Sequence, residues 1–431
     1  MQTIHEAAER VRSGATSPVQ LLEECLARID RYEDKVRAWV MLDRDGALAT
    51  AREREREAKA GQWRGPLHGI PIGIKDIFDI YDWPTTGGSK RWATSYARHD
   101  APVVERLRRA GAVFVGKTVT TAFASFDPPV TRNPWDRTRT PGGSSSGSAA
   151  ALGCGMCLGA LGSQTGGSIT RPASYCGVAG CKPTYGRVSC TGVMPLAASM
   201  DHPGPMARSV RDLALMLQVM ADPEHGFAPG GAGQPARIGR PRGLFAERAD
   251  AAVSAMMDEV CAALRKQGAT IVDAALPAGF SEVIARHRVV MAVEALAYHA
   301  ERLQRHPEDY PPNFRSLLAE GEACPAVEYA RCKEFQRQLT AETSQALAGV
   351  DAWICPATTS PAPDATTTGD PAFNSPWSFT GLPVVSFPVK KTANGLPLAV
   401  QLAGDHWSEA ALFAAAEWCE AQAGIDVGLP E

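Results

Sequence analysis

The sequence predicts an α/β protein, because apolar strand-like segments alternate along it with helical ones. Residues 65–80, GPLHGIPIGIKDIFDI, are apolar, β-branched and interrupted by Gly and Pro, as buried strands and sharp turns are. A helical pattern over residues 101–110 leads directly into the apolar strand AVFVG at 112–116. Strand signals return at residues 352–356 and 382–389, so we expect one sheet that the chain leaves and re-enters.

The remaining elements follow in chain order and are mostly helical. Residues 1–60 are predicted to be helical, and Ser17-Pro18 is typical of a helix start. The mixed charges of residues 51–60, AREREREAKA, indicate a solvent-exposed helix face. The later segments are a Gly/Pro-rich connector at 223–242, mainly helices over 250–345 with a strand at 270–274, and a final helix at 408–423.

The composition argues against several classes of protein. The 431 residues include 44 Lys and Arg against 47 Asp and Glu, which leaves a net charge of −3. Proteins that bind nucleic acid or anionic membranes carry a strong basic excess or patch, so we expect neither as a partner. Hydrophobic residues at 45% and charged residues at 21% are typical of a globular chain rather than a disordered one.

Cysteine usage indicates a reducing compartment. The eleven cysteines are odd in number and irregularly spaced, which argues against a disulfide framework. Beside the CxxC of Cys154 and Cys157 there is no second pair or His to complete a zinc site, so we predict buried helix cysteines and no metal. No signal-peptide core opens the chain, and the longest uncharged stretch, 141–170, has too much Gly and Ser for a membrane span. We therefore expect a soluble, cytoplasmic protein.

Two short motifs match known patterns but lack the context that those patterns need. Residues 111–118 fit the phosphate-loop pattern GxxxxGK[ST], yet the four middle residues are themselves the predicted strand. Residues 143–147 fit GxSxG, the nucleophile elbow of α/β-hydrolases, and Asp370 and His406 follow in the required order. The preceding residues 133–143 are polar and interrupted by proline rather than a buried strand, so an elbow-type serine esterase is kept only as an alternative.

The densest clustering of glycine and serine lies at residues 141–171, PGGSSSGSAAALGCGMCLGALGSQTGGSITR. Two Gly/Ser clusters bracket a helix of small residues predicted over 149–158, which argues against a flexible linker. Glycine turns let backbone N–H groups converge on an anion, so Gly166-Gly167 before Ser168 predict an oxyanion hole beside a hydroxyl nucleophile. Such a nucleophile needs a base. Lys75 ends the apolar run GIPIGI, and burial lowers the pKa of a lysine.

Several motifs together resemble the amidase signature family. They are HGIPIGIKD at 68–76, NPWD at 133–136, PGGSSSGSAAA at 141–151, QTGGS at 164–168 and RPASYCGVAGCKPTYGRV at 171–188. The resemblance implies one domain over residues 1–431, with a large, mixed, twisted sheet flanked by helices on both faces. Within it, residues 65–210 would form the signature core, residues 245–350 a more variable helical part around the substrate, and residues 350–431 the returning strands and helix.

The same resemblance implies a Ser–cis-Ser–Lys triad. By position in the motifs, Ser168 is the nucleophile, Ser144 is the bridging serine after a cis peptide bond, and Lys75 is the base. The separation of the two serines along the chain is that of the family. The backbone N–H groups of Thr165, Gly166, Gly167 and Ser168 are implied as the oxyanion hole, with no metal and no cofactor.

The chain departs from the commonest family pattern around the nucleophile. That pattern, DxGGSIR, has an acid before the serine and an arginine after it, where this chain has Gln164 and Thr170, with Arg171 one residue later. The variant is similar to malonamidase-type members, in which the matching arginine holds the substrate carboxylate. Two interpretations of Arg171 remain open: bidentate binding of a carboxylate, or a structural ion pair below the site.

Residues where the family likeness is weakest are expected to set the substrate. We predict that the pocket is lined by residues 126–130, the helices of 283–335 and the loop 360–380. The residues expected to face the substrate are Phe126, Asp127, Tyr329 and Asn374. The functional hypothesis is a serine amidohydrolase, monomer or homodimer, that cleaves a small-molecule amide through an acyl-enzyme. Candidate substrates are a half-amide such as malonamate, a carbamate or an aryl amide, with ester or carbamate hydrolysis as a side activity. One alternative is a glutamine or asparagine amidase component of a tRNA-dependent amidotransferase; the other is the GxSxG esterase.

Overall fold

The computed structural model describes residues 2–228 and 236–430, and in these residues eleven strands form one sheet. The strands are β1 (Trp39–Leu42), β2 (Pro71–Lys75), β3 (Val113–Thr118), β4 (Gly159–Gln164), β5 (Ala179–Lys182), β6 (His202–Ala207), β7 (Arg237–Pro241), β8 (Thr270–Ala274), β9 (Ala352–Pro356), β10 (Val384–Lys391) and β11 (Pro397–Ala403).

The sheet is mixed, and strands from both ends of the chain meet in it. Its spatial order is β1-β3-β2-β4-β6-β5-β10-β11-β9-β7-β8. Four pairings are parallel, those of β2 with β3 and β4 and of β7 with β8 and β9. The antiparallel pairing of β5 with β10 joins the first half of the sheet to the returning strands. The predicted α/β class with one large mixed sheet is therefore confirmed.

Fourteen α-helices accompany the sheet in the described residues. They are α1 (Ile4–Arg12), α2 (Pro18–Val36), α3 (Arg44–Lys59), α4 (Pro102–Arg109), α5 (Ser146–Gly153), α6 (Thr170–Cys176), α7 (Val210–Met220), α8 (Leu244–Arg248), α9 (Ala251–Lys266), α10 (Val283–Arg305), α11 (Pro312–Ala323), α12 (Ala326–Ala346), α13 (Ser375–Thr380) and α14 (Glu409–Ala423). Within the described ranges, none of these helices has the length and apolar character needed to cross a membrane.

The pleat of the strands sends apolar side chains to both faces of the sheet. In β3, Val113 and Val115 belong to one buried apolar cluster and Phe114 to another, as the two-residue repeat of a strand requires. Leu22 of α2 packs in the first cluster, and Leu107 of α4 packs in the second. Helices therefore cover both faces, and this layering buries β2, β3 and β4 completely.

The helix predicted over residues 149–158 is wrong in its bounds. α5 begins at Ser146 and ends at Gly153, and Gly155 then adopts a left-handed φ of +74°. That backbone conformation favours glycine and ends a helix. Cys154 and Cys157 are buried, as predicted, but they lie between α5 and β4 rather than in a helix.

The predicted connector at 223–242 is irregular only in part. Residues 229–235 lie outside the described residues, whereas residues 237–241 form β7 and pair with β8 and β9. Gly239 is required in this strand, because an added Cβ would lie 2.5 Å from Cδ1 of the buried Trp353. Gly239, one of the glycines that made this segment resemble a linker, is therefore a packing residue of the sheet.

Candidate active site

Lys75 ends a strand in the interior of the sheet. β2 lies between β3 and β4, and Lys75 itself is 0% exposed. Its Nζ lies 2.8 Å from Ser144 Oγ and 2.8 Å from Ser163 Oγ. Burial lowers the pKa of Lys75 to about 7, although the Asp201 carboxylate opposes this shift. A large fraction of the amine is therefore neutral near pH 7 and can accept a proton.

Ser144 lies in the loop that precedes α5, and the Gly143–Ser144 peptide bond is cis. The Ser144 carbonyl accepts a hydrogen bond from Thr121 N at 3.2 Å. Gly143 has no room for a side chain, because an added Cβ would lie 2.8 Å from Thr368 Cγ2. These contacts hold the loop in place, and the Ser144 hydroxyl lies buried against the Lys75 amine.

Ser168 lies in the turn between β4 and α6. The Gln164 side chain closes this turn, since its Oε1 accepts hydrogen bonds from Ile169 N at 2.9 Å and Thr170 N at 3.0 Å. Ser145 N donates a hydrogen bond to Ser168 O at 3.2 Å. The turn of the predicted nucleophile therefore lies against the loop of the predicted bridging serine, although the two are well separated in the sequence.

The turn presents unpaired backbone donors. The N–H groups of residues 166–168 have no acceptor among the residues that the structure describes. All three residues line a cavity, and such a group of N–H donors can bind an anion or stabilise an oxyanion. Thr165 is not part of the lining; its hydroxyl donates to Asp201 Oδ1, and its carbonyl lies 2.8 Å from His287 Nε2. The N–H groups of residues 166–168 are therefore candidate oxyanion donors, and the role of the Thr165 N–H stays a prediction.

The cavity at this turn has a volume of about 410 Å³, which suits a small-molecule ligand. Its lining residues are Ala124, Ser125, Phe126, Gly166, Gly167, Ser168, Arg171, Leu196, Ile284, His287, Arg288, Met291, Asn313, Thr366, Thr367, Thr368, Gly369, Pro371 and Ser375. A larger depression of about 620 Å³ lies at Asp43, Tyr81 and Arg108, and it shares no lining residue with this cavity. Because only the smaller cavity contains Ser168, it is the candidate active site.

Arg171 presents a guanidinium without a counter-ion to this cavity. Its Nη2 donates to Gly143 O at 2.9 Å and to Thr368 Oγ1 at 3.4 Å, whereas Nε and Nη1 are buried without a partner. Burial lowers the pKa of Arg171 from its ordinary value, and Tyr175 and Asp370 oppose that shift. Among the described residues no carboxylate is hydrogen-bonded to this guanidinium, so they give no support to the alternative of a structural ion pair.

A neutral pair occupies the positions where the commonest pattern has an acid and an arginine. Thr170 Oγ1 donates to Gln164 Oε1 at 3.2 Å, and Asn374 Nδ2 donates to Thr170 Oγ1 at 3.0 Å. The two departures from the pattern therefore contact each other and remain hydrogen-bonded without charge.

Phe126 lines the cavity, whereas Asp127 does not. The Asp127 carboxylate accepts hydrogen bonds from Asn313 N and Phe314 N, each at 3.0 Å, in the first turn of α11. Unpaired N–H groups and the helix dipole favour a carboxylate at that position. Direct contact of Asp127 with the substrate stays a prediction; in the structure its carboxylate holds α11, whose Asn313 lines the cavity.

Asn374 and Tyr329 also lie outside the cavity lining, so their contact with the substrate stays a prediction. Asn374 is 0% exposed, and its Nδ2 donates to Ala357 O at 2.9 Å. It packs under the turn, because an added Cβ on Gly167 would lie 2.7 Å from Asn374 Oδ1. Tyr329 donates its hydroxyl hydrogen to Glu294 Oε1 at 3.0 Å.

The two motifs set aside in the sequence have other structural contexts. In the phosphate-loop match, Lys117 belongs to β3, and its Nζ forms a buried ion pair with Asp76 at 3.0 Å. Residues 133–143 contain no strand, so the GxSxG match lacks the strand that an elbow needs. Neither Asp370 nor His406 lines the cavity. The geometry of the described residues therefore gives no support to the elbow-type esterase.

Three further residues lie at this site, and no sequence motif identified any of them. Ser163 contacts Lys75 because β4 pairs with β2, which becomes visible only once the strand order is known. Asp201 accepts hydrogen bonds from Leu196 N at 2.9 Å and from the Thr165 hydroxyl, and burial raises its pKa to about 6. His287 lies on α10, within the helices that were predicted to line the pocket, but no motif singled out this side chain.

An α/β fold with this site defines a class of hydrolase, and comparison with known proteins identifies the family. The family model described as Amidase matches residues 20–413, which is most of the chain. This chain belongs to the Amidase family, the amidase signature hydrolases, as its motifs predicted.

The proteins that are similar to this chain include both amidotransferase subunits and a peptide amidase. It is 36% identical to a glutamyl-tRNA(Gln) amidotransferase subunit of Anaeromyxobacter sp. (strain K), over 99% of this chain and 97% of that protein. It is 42% identical to the Chloroflexus aggregans protein of the same name, over 64% of this chain and only 60% of that protein. The native peptide amidase structure from Stenotrophomonas maltophilia matches with a TM-score of 0.85 and 30% identity, covering 98% of this chain and 97% of that one.

Proposed function

We propose that this chain is a serine amidohydrolase that cleaves the C–N bond of a small amide through an acyl-enzyme. Ser168 is the nucleophile, Ser144 is the bridging serine and Lys75 is the base. One observation carries the proposal: Lys75 Nζ lies 2.8 Å from Ser144 Oγ, and the loop of Ser144 is hydrogen-bonded to Ser168, which lines the cavity. Because burial lowers the pKa of Lys75 to about 7, a neutral amine is available as a general base.

In the proposed reaction, neutral Lys75 takes a proton from Ser144 as Ser144 takes one from Ser168. The Ser168 oxygen forms a bond to the amide carbon, and the N–H groups of residues 166–168 stabilise the oxygen that becomes negative. The C–N bond then breaks, and the proton on Lys75 returns through Ser144 to the leaving amine. A water molecule, deprotonated by the same route, attacks the acyl-enzyme and releases the acid and the free serine.

The proposed substrate is a small amide that also carries a carboxylate, such as the half-amide malonamate. The support for this class is Arg171, whose Nε and Nη1 are buried without a partner at the cavity wall. A guanidinium binds a carboxylate with two parallel hydrogen bonds, and an unpaired buried charge is costly until such a partner arrives. A carbamate or an aryl amide would use the same chemistry without the contact to Arg171.

The test is hydrolysis of a panel of half-amides, aryl amides and carbamates by the purified chain. We expect Ser168→Ala to abolish hydrolysis and Lys75→Ala to lower kcat/KM by orders of magnitude, with the fold retained. Ser13→Ala and Lys59→Ala, at exposed positions outside the cavity lining, are the matched controls. Near-full activity of Lys75→Ala, together with loss of activity in His406→Ala, would contradict the lysine mechanism and favour the elbow-type esterase.

A second candidate function is that of an amidase component in a tRNA-dependent amidotransferase. The similarity to a protein named as part of such an enzyme, over nearly the whole chain, favours it. Ammonia release by the purified chain, without ATP or a partner, separates the two candidates. Turnover of half-amides by the chain alone supports the free hydrolase, whereas glutamine turnover that requires a partner protein supports the amidotransferase.

A further inference from the structure

The turn at residues 165–168, named here the oxyanion turn, is held by donors from three different elements. Its first three carbonyl oxygens each have a hydrogen-bond partner. The first lies 2.8 Å from Nε2 of His287 on α10, and the second accepts from Ser378 Oγ on α13 at 2.8 Å. The third accepts from Arg171 N at the start of α6, at 3.0 Å. Every peptide group within the turn is therefore fixed at its carbonyl end.

Fixing these carbonyl groups also fixes the direction of the N–H groups. In a trans peptide the C=O and the following N–H lie in one plane and point in opposite directions. Each hydrogen-bonded carbonyl therefore points the N–H of the following residue away from the carbonyl's own donor. On that side of the turn the described residues supply no acceptor. In the Thr165–Gly166 peptide, His287 is the donor to the carbonyl, and this contact orients the N–H of Gly166.

His287 links this peptide to the helix that shapes the cavity. Ile284, His287, Arg288 and Met291 lie on one face of α10, at helical spacing, and all four line the cavity. His287 itself is 4% exposed. Because a carbonyl oxygen can only accept, Nε2 must carry the hydrogen of this contact. Burial also lowers the pKa of His287, so the ring is neutral near pH 7 and Nδ1 is an acceptor.

We infer that His287 is a positioning residue for the oxyanion hole, because its Nε2–H holds the Thr165–Gly166 peptide with the Gly166 N–H toward the reacting carbonyl oxygen. The inference rests on the proposed amidase function. No other donor of the described residues reaches Thr165 O, so this peptide loses its fixed orientation when the His287 donor is removed.

The kinetic test compares two substitutions at His287. His287→Leu removes the donor at similar size, and His287→Gln restores an amide N–H on a side chain of similar length. We expect His287→Leu to lower kcat about 10²-fold, as loss of an oxyanion donor does, with KM nearly unchanged. His287→Gln is expected to recover most of that loss, which a merely structural role would not predict. If His287→Leu does not fold, His287→Met provides an unbranched side chain without a donor.

Crystal structures of the wild-type protein and both variants separate this inference from the proposed function. We expect the Thr165–Gly166 peptide to rotate in His287→Leu and to keep its orientation in His287→Gln. If the wild-type enzyme hydrolyses no amide of the panel, the proposed function fails, while the peptide orientation still decides the role of His287. An unrotated peptide in His287→Leu, or an unchanged kcat in an active enzyme, would overturn the inference.

Discussion

Two lysines on neighbouring strands show why Lys75 suits the role of a base. Both Lys75 and Lys117 are buried, and burial lowers the pKa of each. Lys117 forms an ion pair with Asp76 at 3.0 Å, which favours its charged form. Lys75 is hydrogen-bonded to two serine hydroxyls instead, and no carboxylate of the described residues forms an ion pair with it. The difference in partner, not in burial, leaves Lys75 free to exchange its proton.

This environment predicts the pH dependence of the reaction. Lys75 must be neutral to accept a proton, and its pKa is lowered to about 7, so the active form predominates above that pH and is lost below it. We therefore expect kcat/KM to rise with pH through an apparent pKa of about 7. The measurement is a profile of kcat/KM from about pH 5 to about pH 9, with circular dichroism as a control for the fold. A profile that is flat across this range would contradict the assignment of Lys75 as the base.

Arg171 predicts a preference for substrates that carry a carboxylate. Arg171→Ala removes two buried N–H donors that have no protein partner. We expect it to lower kcat/KM for malonamate about 10- to 100-fold more than for a neutral amide of equal length, as loss of a charge-assisted hydrogen bond does.

The measurement that tests Arg171 is the ratio between the loss of kcat/KM for malonamate and the loss of kcat/KM for the neutral amide. Its Nη2 also donates to Gly143 O at 2.9 Å, so some loss of activity is common to every substrate. Arg171→Lys is the control, because a lysine keeps the charge but cannot form the bidentate contact. Equal losses for malonamate and the neutral amide would show that Arg171 does not bind a carboxylate.

At the scale of elements, a distant side chain caps a helix that forms one wall of the cavity. α11 begins after Pro311, which has no side-chain acceptor for the first N–H groups of the helix. The Asp127 carboxylate supplies that acceptor from another part of the chain. Because Asn313 of the same helical turn lines the cavity, the cap connects local helix stability to the shape of the site.

Removing this cap is expected to affect both stability and substrate binding. We predict that Asp127→Ala lowers the free energy of unfolding by about 1–2 kcal/mol, as loss of a helix cap does, and raises KM. Asp127→Asn keeps one oxygen acceptor and should lower the free energy of unfolding by less than Asp127→Ala does. Urea unfolding and steady-state kinetics measure the two effects. An unchanged unfolding midpoint in Asp127→Ala would show that the cap does not stabilise α11.

At the scale of the whole molecule, a buried ion pair joins the signature core to the C-terminal helix. Arg187 contacts Glu409 in a bidentate pair, with distances of 2.6 Å and 2.7 Å, and both side chains are buried. Glu409 also accepts a hydrogen bond from Thr184 N at 2.8 Å. Together with the single sheet, this long-range contact supports the proposed organisation of residues 1–431 as one domain.

Loss of one partner of this pair is expected to destabilise the whole chain. Glu409→Ala leaves the Arg187 guanidinium buried without a counter-ion, which is expected to lower the free energy of unfolding by about 3–5 kcal/mol. Glu105→Ala removes an exposed ion pair with Arg109 and should cost less than about 1 kcal/mol. Chemical denaturation of both variants provides the comparison. Equal destabilisation by the two substitutions would mean that the buried pair does not hold the C-terminal helix.

Some strands were predictable because their signals are local, and others were not. The predicted bounds of β8 and β9 are confirmed, since short apolar runs between turn residues indicate strands. β7 was predicted as part of a connector, because the role of Gly239 depends on Trp353, far along the chain. Local pattern identifies an element only where the element does not depend on a distant partner.

The sequence by itself determined the α/β class and the family, because dense motifs of glycine, serine and lysine carry them without reference to the rest of the chain. Only the tertiary structure decided what individual side chains do. Asp127 caps a helix, Asn374 packs beneath the oxyanion turn, Arg171 has no counter-ion, and His287 reaches Thr165. The physical reason is that the orientation of a buried polar side chain is set by its hydrogen-bond partners, and here those partners lie on other elements.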